Sequence, residues 1–419
     1  MEYYSIISIL VVLAAIFGFI NVRFLKLPTT IGLMIITILF TLVLVVVGLF
    51  NDTLLTHERE LITNIDFETV LLDIMLSFLL FAGALHTNFE ELRVQRGPVI
   101  VFATLGVLTS TALVGIIMYY ILQIIGLNVE FIYCLLFGAL ISPTDPIAVL
   151  GILKKANAPK KLETKIVGES LFNDGVGVVI FLTIFSIASS PNVAVNTMDI
   201  VELFGREVLG GIVLGLILGY GTYKMLKAID NYEIEVIITI ATVMGGTLIA
   251  HQFHLSAPLA MVTAGLFIGN DIVRGTAMSE KTETYVDRFW ELIDVLLNTI
   301  LFVLIGMEML VLTFRTDYVI AGLIAVPLVL LSRYASLWLP IKFFSKRLNF
   351  EPKTNLIMTW GGLRGGISIA LALSLTTEMY RELFLVITYV IVVFSIIGQG
   401  LTVEALVNRV SKISQKTVR

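Results

Sequence analysis

Charge is the scarce component of this chain. Only 14% of its 419 residues are Asp, Glu, Lys or Arg, against about 25% in ordinary soluble domains. With 28 Lys and Arg against 32 Asp and Glu, there is no basic surface to hold nucleic acid. A disordered chain is excluded as well, because such chains are polar and charge-rich. The single cysteine, Cys134, lies in an apolar run. It cannot close an intramolecular disulfide and reads as a small buried hydrophobe. Polar linkers are missing too, although a soluble chain of this length would divide into two or three domains. There is no HExxH motif and no Cys/His cluster, which removes a metalloenzyme. No basic region and no small-residue cleavage pattern accompany the first apolar run. That run is therefore expected to remain as a helix rather than act as a signal peptide.

What is present is hydrocarbon. Apolar residues make up 57% of the chain, and the mean hydropathy is +0.96. Apolar runs of about 20 residues recur from end to end, each long enough to cross a bilayer core of about 30 Å. This excludes a soluble enzyme and predicts an all-α polytopic protein whose solvent is the lipid bilayer. About thirteen spans are expected, near 4–22, 30–50, 67–86, 98–123, 131–153, 166–188, 205–228, 233–252, 256–273, 289–311, 318–340, 355–376 and 382–407. With the N-terminus outside, 22 of the 28 Lys and Arg fall on the inner side. Only Arg59, Arg206, Arg315 and Arg381 fall on the outer side, and Arg333 and Arg364 lie within spans. The basic residues thus predict a multi-pass protein of the cell membrane with a cytoplasmic C-terminus. The tail beyond the last span is too short for a regulatory domain.

An ionised side chain at the centre of a span costs about 2.5–3.5 kcal/mol. Each such residue calls for a partner, a wet cavity or a task. The sequence Ser142-Pro143-Thr144-Asp145-Pro146 sets two prolines three apart in an apolar run, so span five should be broken there. Pro146 suits the first turn of a second half-helix, capped by Asp145 or Thr144. In span six, Glu169 and Asn173 are four apart and share a face; Ser170 and Asp174 share the adjacent face. Two carboxylates, a hydroxyl and an amide at bilayer depth form an oxygen-rich stripe suited to a hard cation. Gly175 and Gly177 should let another backbone come close. Span twelve carries Trp360-Gly361-Gly362-Leu363-Arg364-Gly365-Gly366, a second expected break. Spans 1–6 and 8–13 start on opposite sides of the membrane, and each set has its break in its fifth member. Inverted repeats with paired broken helices point to the ion site of a secondary transporter. Arg333 and Arg364 could offset buried carboxylates, with one of them paired to Glu169. Asp73, Asp294 and Glu308 lie near span ends and read as solvated or structural.

These three segments together resemble the signature segments of the monovalent cation:proton antiporter family, in the sodium/proton exchanger branch that has Asn-Asp at positions 173 and 174. The resemblance implies an antiporter that exchanges H⁺ for Na⁺, or for Li⁺ or K⁺, with no cofactor and usually as a homodimer. It implies scaffold and dimerisation helices at 1–97 and 233–311, core helices at 98–188 and 318–407, a linking helix at 205–228 and a short cytoplasmic tail at 408–419. Carried over by position, Asp174 is the main carboxylate for cation and proton. Asp145, Thr144 and Ser170 are the further Na⁺ ligands. Glu169 and Asn173 are structural partners, Arg333 the cation paired to Glu169, and Arg364 a neighbour on span twelve. The Asn-Asp form implies electroneutral exchange. Many members have a Glu in span three where this chain has Ala82, within Phe81-Ala82-Gly83-Ala84. Water fills that place, or the site is less anionic.

Three rival functions remain on residues alone. A passive channel would need a selectivity filter, and no segment resembles one. An intramembrane aspartyl protease would need a Gly-x-Gly-Asp segment, whereas Asp174 follows Phe172-Asn173. A membrane scaffold would not need so many buried charges.

Overall fold

The structure is a computed structural model that describes residues 2–48, 69–87, 89–145, 149–150, 153, 160–189, 197–309, 312–348, 350 and 353–417. Every regular element among them is helical. Nine helices among the described residues are long and apolar enough to cross a membrane, and three shorter apolar helices join them. The predicted all-helical membrane architecture is therefore present. A total of thirteen would rest on the short and broken helices.

The first third comprises α1 (Glu2–Ile20), α2 (Thr29–Gly48), α3 (Leu76–Leu85), α4 (Phe89–Val101) and α5 (Val107–Ile125). Helices α4 and α5 are joined through a π-helical turn at Phe102–Gly106. The apolar helix predicted from 98 therefore starts nine residues earlier, with Pro98 inside it. The middle contains α6 (Phe131–Ile141), α7 (Lys160–Ser189), α8 (Thr197–Lys227), α9 (Tyr232–Gln252), α10 (Ala257–Ile268) and α11 (Asp271–Ala277). The span expected at 256–273 stops at Ile268 for a local reason. The Asn270 side chain accepts from the backbone N–H of Ile272 at 2.9 Å and of Val273 at 3.4 Å, and so caps a separate short helix. The last third is α12 (Glu280–Glu308), α13 (Thr316–Leu348), α14 (Thr354–Trp360), α15 (Gly366–Leu373), α16 (Arg381–Val393) and α17 (Gly400–Thr417).

Both expected breaks are present. Helix α6 ends at Ile141, and Ser142–Asp145 is not helical. Pro146 lies outside the described residues. Helices α14 and α15 are separated by Gly361–Gly365. Unsatisfied backbone is tolerated at membrane depth only where protein or water surrounds it. Here Asp145 N donates to Leu363 O at 2.8 Å, so the two broken segments meet and bond to each other.

The apolar interior forms two clusters. The larger surrounds the crossing and includes Phe137, Phe302, Phe384 and Tyr389. The smaller is centred on Trp290 of α12, whose ring lies 4.7 Å from that of Phe81. The Trp290 indole N–H donates to Thr239 Oγ1 at 3.0 Å, which satisfies its polar end. Arg274 of α11 donates to Leu85 O at 2.8 Å and to Asp287 Oδ2 at 2.9 Å, tying the carbonyl end of α3 to α12.

Candidate ion-binding site

Helix α7 sends its polar stripe to α13, to the break after α6 and to a small cavity. Glu169 faces α13. Arg333 Nη2 donates to Glu169 Oε2 at 3.0 Å, and Nη1 lies 2.8 Å from Oε1. This two-pronged pair is 4% exposed on the arginine and 1% on the glutamate. Asn173 faces the break after α6: its Nδ2 donates to Thr144 Oγ1 at 2.9 Å, and its Oδ1 accepts from Thr144 N at 3.3 Å. Ser170 Oγ is 2.9 Å from the same Thr144 hydroxyl. Thr144 is thus clamped by Ser170 and Asn173 together. The glycines after Asp174 admit side chains rather than the backbone expected there: a Cβ on Gly177 would strike the Pro143 ring, and one on Gly175 would strike the Leu259 side chain of α10.

Arg364 takes a different part from Arg333. Its Nη1 donates to Pro143 O at 2.7 Å and also to Ser142 O, and its backbone N–H donates to Ser395 Oγ at 2.8 Å. A cation is thereby set against the carbonyl end of α6, where the helix dipole is negative. Gln399 Nε2 serves the end of α14, donating to Trp360 O at 2.8 Å. Glycine is required at two points of this crossing. A Cβ on Gly365 would overlap the Asp145 carboxylate, and one on Gly362 would overlap the Arg333 guanidinium.

Asp174 is 2% exposed, and its Oδ1 has no hydrogen-bond partner among the described residues. It borders a cavity of about 50 Å³ with Asp145, Thr144, Asn298, Gly365 and Ser368; Leu76, Leu79, Leu80 and Leu301 supply apolar wall. A water needs ~10–15 Å³ of such space, so the cavity admits a cation stripped of most of its shell. Ser170 does not line it.

A second, wider space of about 740 Å³ lies beside the first, and Gly83 and Leu171 line both. Five carboxylates, Glu91, Glu163, Asp287, Glu291 and Asp294, face it against Lys160 and Arg288. Sequence reasoning missed this funnel, because its acids fall in stretches that look like ordinary polar surface. Asn298 and Ser368 gave no signal, being uncharged. Ala82 lines the funnel rather than the small cavity, and its carbonyl accepts from His86 Nδ1 at 2.8 Å. Glu308 sits at the far end of α12, 7% exposed. The side chain of Asp73 lies outside the described residues. No group of three or more His, Cys, Asp or Glu able to hold a resident metal occurs among the described residues.

Known proteins resemble the chain over nearly its whole length. The profile of the family described as the transmembrane sodium/hydrogen exchanger matches residues 9–409. The Na⁺/H⁺ antiporter NhaP of Pseudomonas aeruginosa is 46% identical over 414 residues, which is 97% of this chain and 96% of that protein. The Na⁺/H⁺ antiporter NhaH of Halobacillus dabanensis is 32% identical over 413 residues, covering 97% and 98%. Among solved structures, the sodium proton antiporter MjNhaP1 from Methanocaldococcus jannaschii superposes with a TM-score of 0.75 at 20% identity, covering 99% of each chain. That likeness supports the fold.

Proposed function

The chain belongs to the sodium/hydrogen exchanger family and exchanges Na⁺ for H⁺; on that premise we propose that Asp174 is the carboxylate that binds the two ions in turn. One observation carries the proposal: a buried carboxylate oxygen with no hydrogen-bond partner among the described residues, on the wall of a cavity of ion size. A buried anion without a partner is costly, and either a proton or a Na⁺ relieves that cost. Competition between the two for one oxygen site couples their movements.

Asp145 and Thr144 are the further Na⁺ ligands at the break of span five, and Ser170 acts through Thr144. Glu169 with Arg333 and Asn173 with Thr144 hold the two walls of the site in register. Arg364 satisfies the Ser142 and Pro143 carbonyls just beyond α6. Na⁺ and H⁺ are cargo, and the chemistry calls for no cofactor.

The loops rich in Lys and Arg set the orientation, with the N-terminus outside and the C-terminus cytoplasmic. The acidic funnel then opens to the cytoplasm, and Gly83 and Leu171 separate it from the cavity. Alternating access follows if the residues of 98–188 and 318–407 move as a core against a scaffold of 1–97 and 233–311 linked by 205–228. The scaffold is the part that pairs with a second copy in a homodimer.

With Asn at 173 and one exchanging carboxylate at 174, one proton leaves for each Na⁺ that binds, and no net charge moves. Purified protein in liposomes with an internal pH dye tests this. Na⁺-driven proton flux should be unchanged by an imposed K⁺/valinomycin potential, and Asp174→Asn should reduce it to the level of empty liposomes while remaining folded. A rate that climbs with voltage would refute one-for-one exchange. Wild-type-like flux in the mutant would refute the role of Asp174.

A further inference from the structure

The residues read from sequence put every cation ligand on two neighbouring elements, α7 and the break after α6. The cavity itself has walls from two more helices that carry oxygen. We propose that Ser368 of α15 is a cation ligand facing the same cavity as Asp174, with the amide oxygen of Asn298 of α12 as a further ligand. The proposal rests on the reading of Asp174 given above.

Ser368 is 1% exposed, and its Oγ has no hydrogen-bond partner among the described residues. A serine hydroxyl can return to a backbone carbonyl one turn earlier, but Ser368 is the third residue of its helix and has the glycine break, not a helical turn, before it. Ser142, by contrast, bonds Gly138 O at 2.7 Å, and Ser374 bonds Leu371 O at 2.9 Å. Ser368 stands in the first turn of α15, directly after the glycine break, and it lines the cavity. A buried hydroxyl left without a partner costs about 1–3 kcal/mol. A bound cation supplies the missing partner.

Asn298 arrives at the cavity already oriented. Its Nδ2 donates to Asp294 O at 2.8 Å and to Asp294 Oδ1 at 3.1 Å. Both are acceptors, so the amide must present its nitrogen to them and turn its oxygen away. Asp294 is a positioning residue in this arrangement. The need for these oxygens is set by α3, whose contributions to the cavity are Leu76, Leu79, Leu80 and Gly83, none with a side-chain oxygen. A hard cation stripped of water takes oxygen in their place.

A ligand role and a structural role move stability in opposite directions. Deleting an unpaired buried hydroxyl removes a desolvation penalty and leaves stability equal or higher. Ser368→Ala should therefore match or exceed the wild-type melting temperature without Na⁺. The KM for Na⁺ in liposome exchange should rise about tenfold, the scale of one lost charge-assisted contact, with a smaller change in maximal rate. Ser368→Thr, which restores a hydroxyl, should recover most of the affinity. Asn298→Ala should raise KM in the same sense. Asp294→Asn, which keeps an acceptor for the Asn298 amide, should do so less than Asp294→Ala. Sodium titration calorimetry on the same purified proteins is read alongside. A wild-type protein that bound Na⁺ without exchanging it would overturn the exchange reading, and the binding comparison would still decide the ligand. An unchanged KM and unchanged binding in Ser368→Ala overturn the proposal. So does a variant that loses stability and activity together.

Discussion

The crossing of the broken helices and the packing of α8 on α10 are both buried helix contacts, but opposite means hold them together. At the crossing, two arginines, a glutamate, an asparagine and several backbone groups are bonded across four elements. Between α8 and α10 the contact is made by the absence of side chains. A Cβ on Gly211, Gly215 or Gly219 would meet Ser256 O, Ala260 O or the Phe267 side chain in turn. Small residues let two backbones approach and gain dispersion without polar groups. The difference teaches where chemistry can reside. Close apolar packing leaves no orphan atoms, whereas a crossing of broken helices has more polar atoms than partners, and the surplus at Asp174 and Ser368 is what an ion can use.

The sharpest way to break the comparison is to remove the bond that holds the crossing. Glu169→Gln leaves Arg333 charged and unpaired at 4% exposure, which costs about 3–5 kcal/mol. Asp174→Asn, five residues further along and on the adjacent face, removes a charge whose Oδ1 has no hydrogen-bond partner among the described residues. Thermal melts should show a large loss for Glu169→Gln and little or none for Asp174→Asn. A double-mutant cycle should find strong coupling of Glu169 to Arg333 and weaker coupling to Arg364. Equal melts, or coupling to Arg364 alone, would reverse the division between the bonded and the unbonded carboxylate.

Much of the crossing was legible in the sequence because it violates membrane chemistry. Charges at 169, 174, 333 and 364, prolines at 143 and 146 and four glycines between 361 and 366 are each costly in a lipid-facing helix, so each asks for a reason. Asn298 and Ser368 were not legible for the converse reason: uncharged polar side chains commonly satisfy themselves on their own helix. The funnel was hidden because Glu91, Glu163, Asp287 and Glu291 lie where loops and helix ends are expected to be wet. The end of α10 was misplaced since Asn270 looks like any polar residue until its cap is seen. Which arginine meets Glu169 could not be decided from spacing, because the partners are 164 residues apart.

A smaller effect is expected from overfilling the apolar contact. Gly215→Ala sets a methyl group against Ala260 O and Thr263 Cβ, so α8 must move away from α10. Overpacking of this kind costs about 1–3 kcal/mol. The melting temperature should fall, while the KM for Na⁺ of the folded fraction stays as in wild type. A changed KM with an unchanged melt would show that this contact, too, takes part in ion binding.

The smallest effect belongs to the funnel, and its sign follows from charge and screening. Five carboxylates face the funnel against Lys160 and Arg288, and with Arg274 paired to Asp287 the acids are still in excess, so the funnel should concentrate cations. Part of that charge is already offset, since Arg288 Nη1 lies 2.8 Å from Glu291 Oε2 in a pair that is 76% and 60% exposed on its two side chains. Exposed charges act through water and are weakened by salt, with a screening length of about 10 Å at 0.1 M and about 3 Å at 1 M. Glu163→Gln and Glu291→Gln together should therefore raise the KM for Na⁺ only about two- to threefold at low ionic strength, through the local cation concentration. The rise should vanish when choline chloride is added to about 1 M, because the field is then screened within one side chain's length. Changes at Asp174 or Ser368 should persist in the same salt, since their walls exclude it. A KM increase in the funnel variant that survives high salt would mean that Glu163 or Glu291 touches the ion itself, and the boundary drawn at Gly83 and Leu171 between funnel and site would have to move outward.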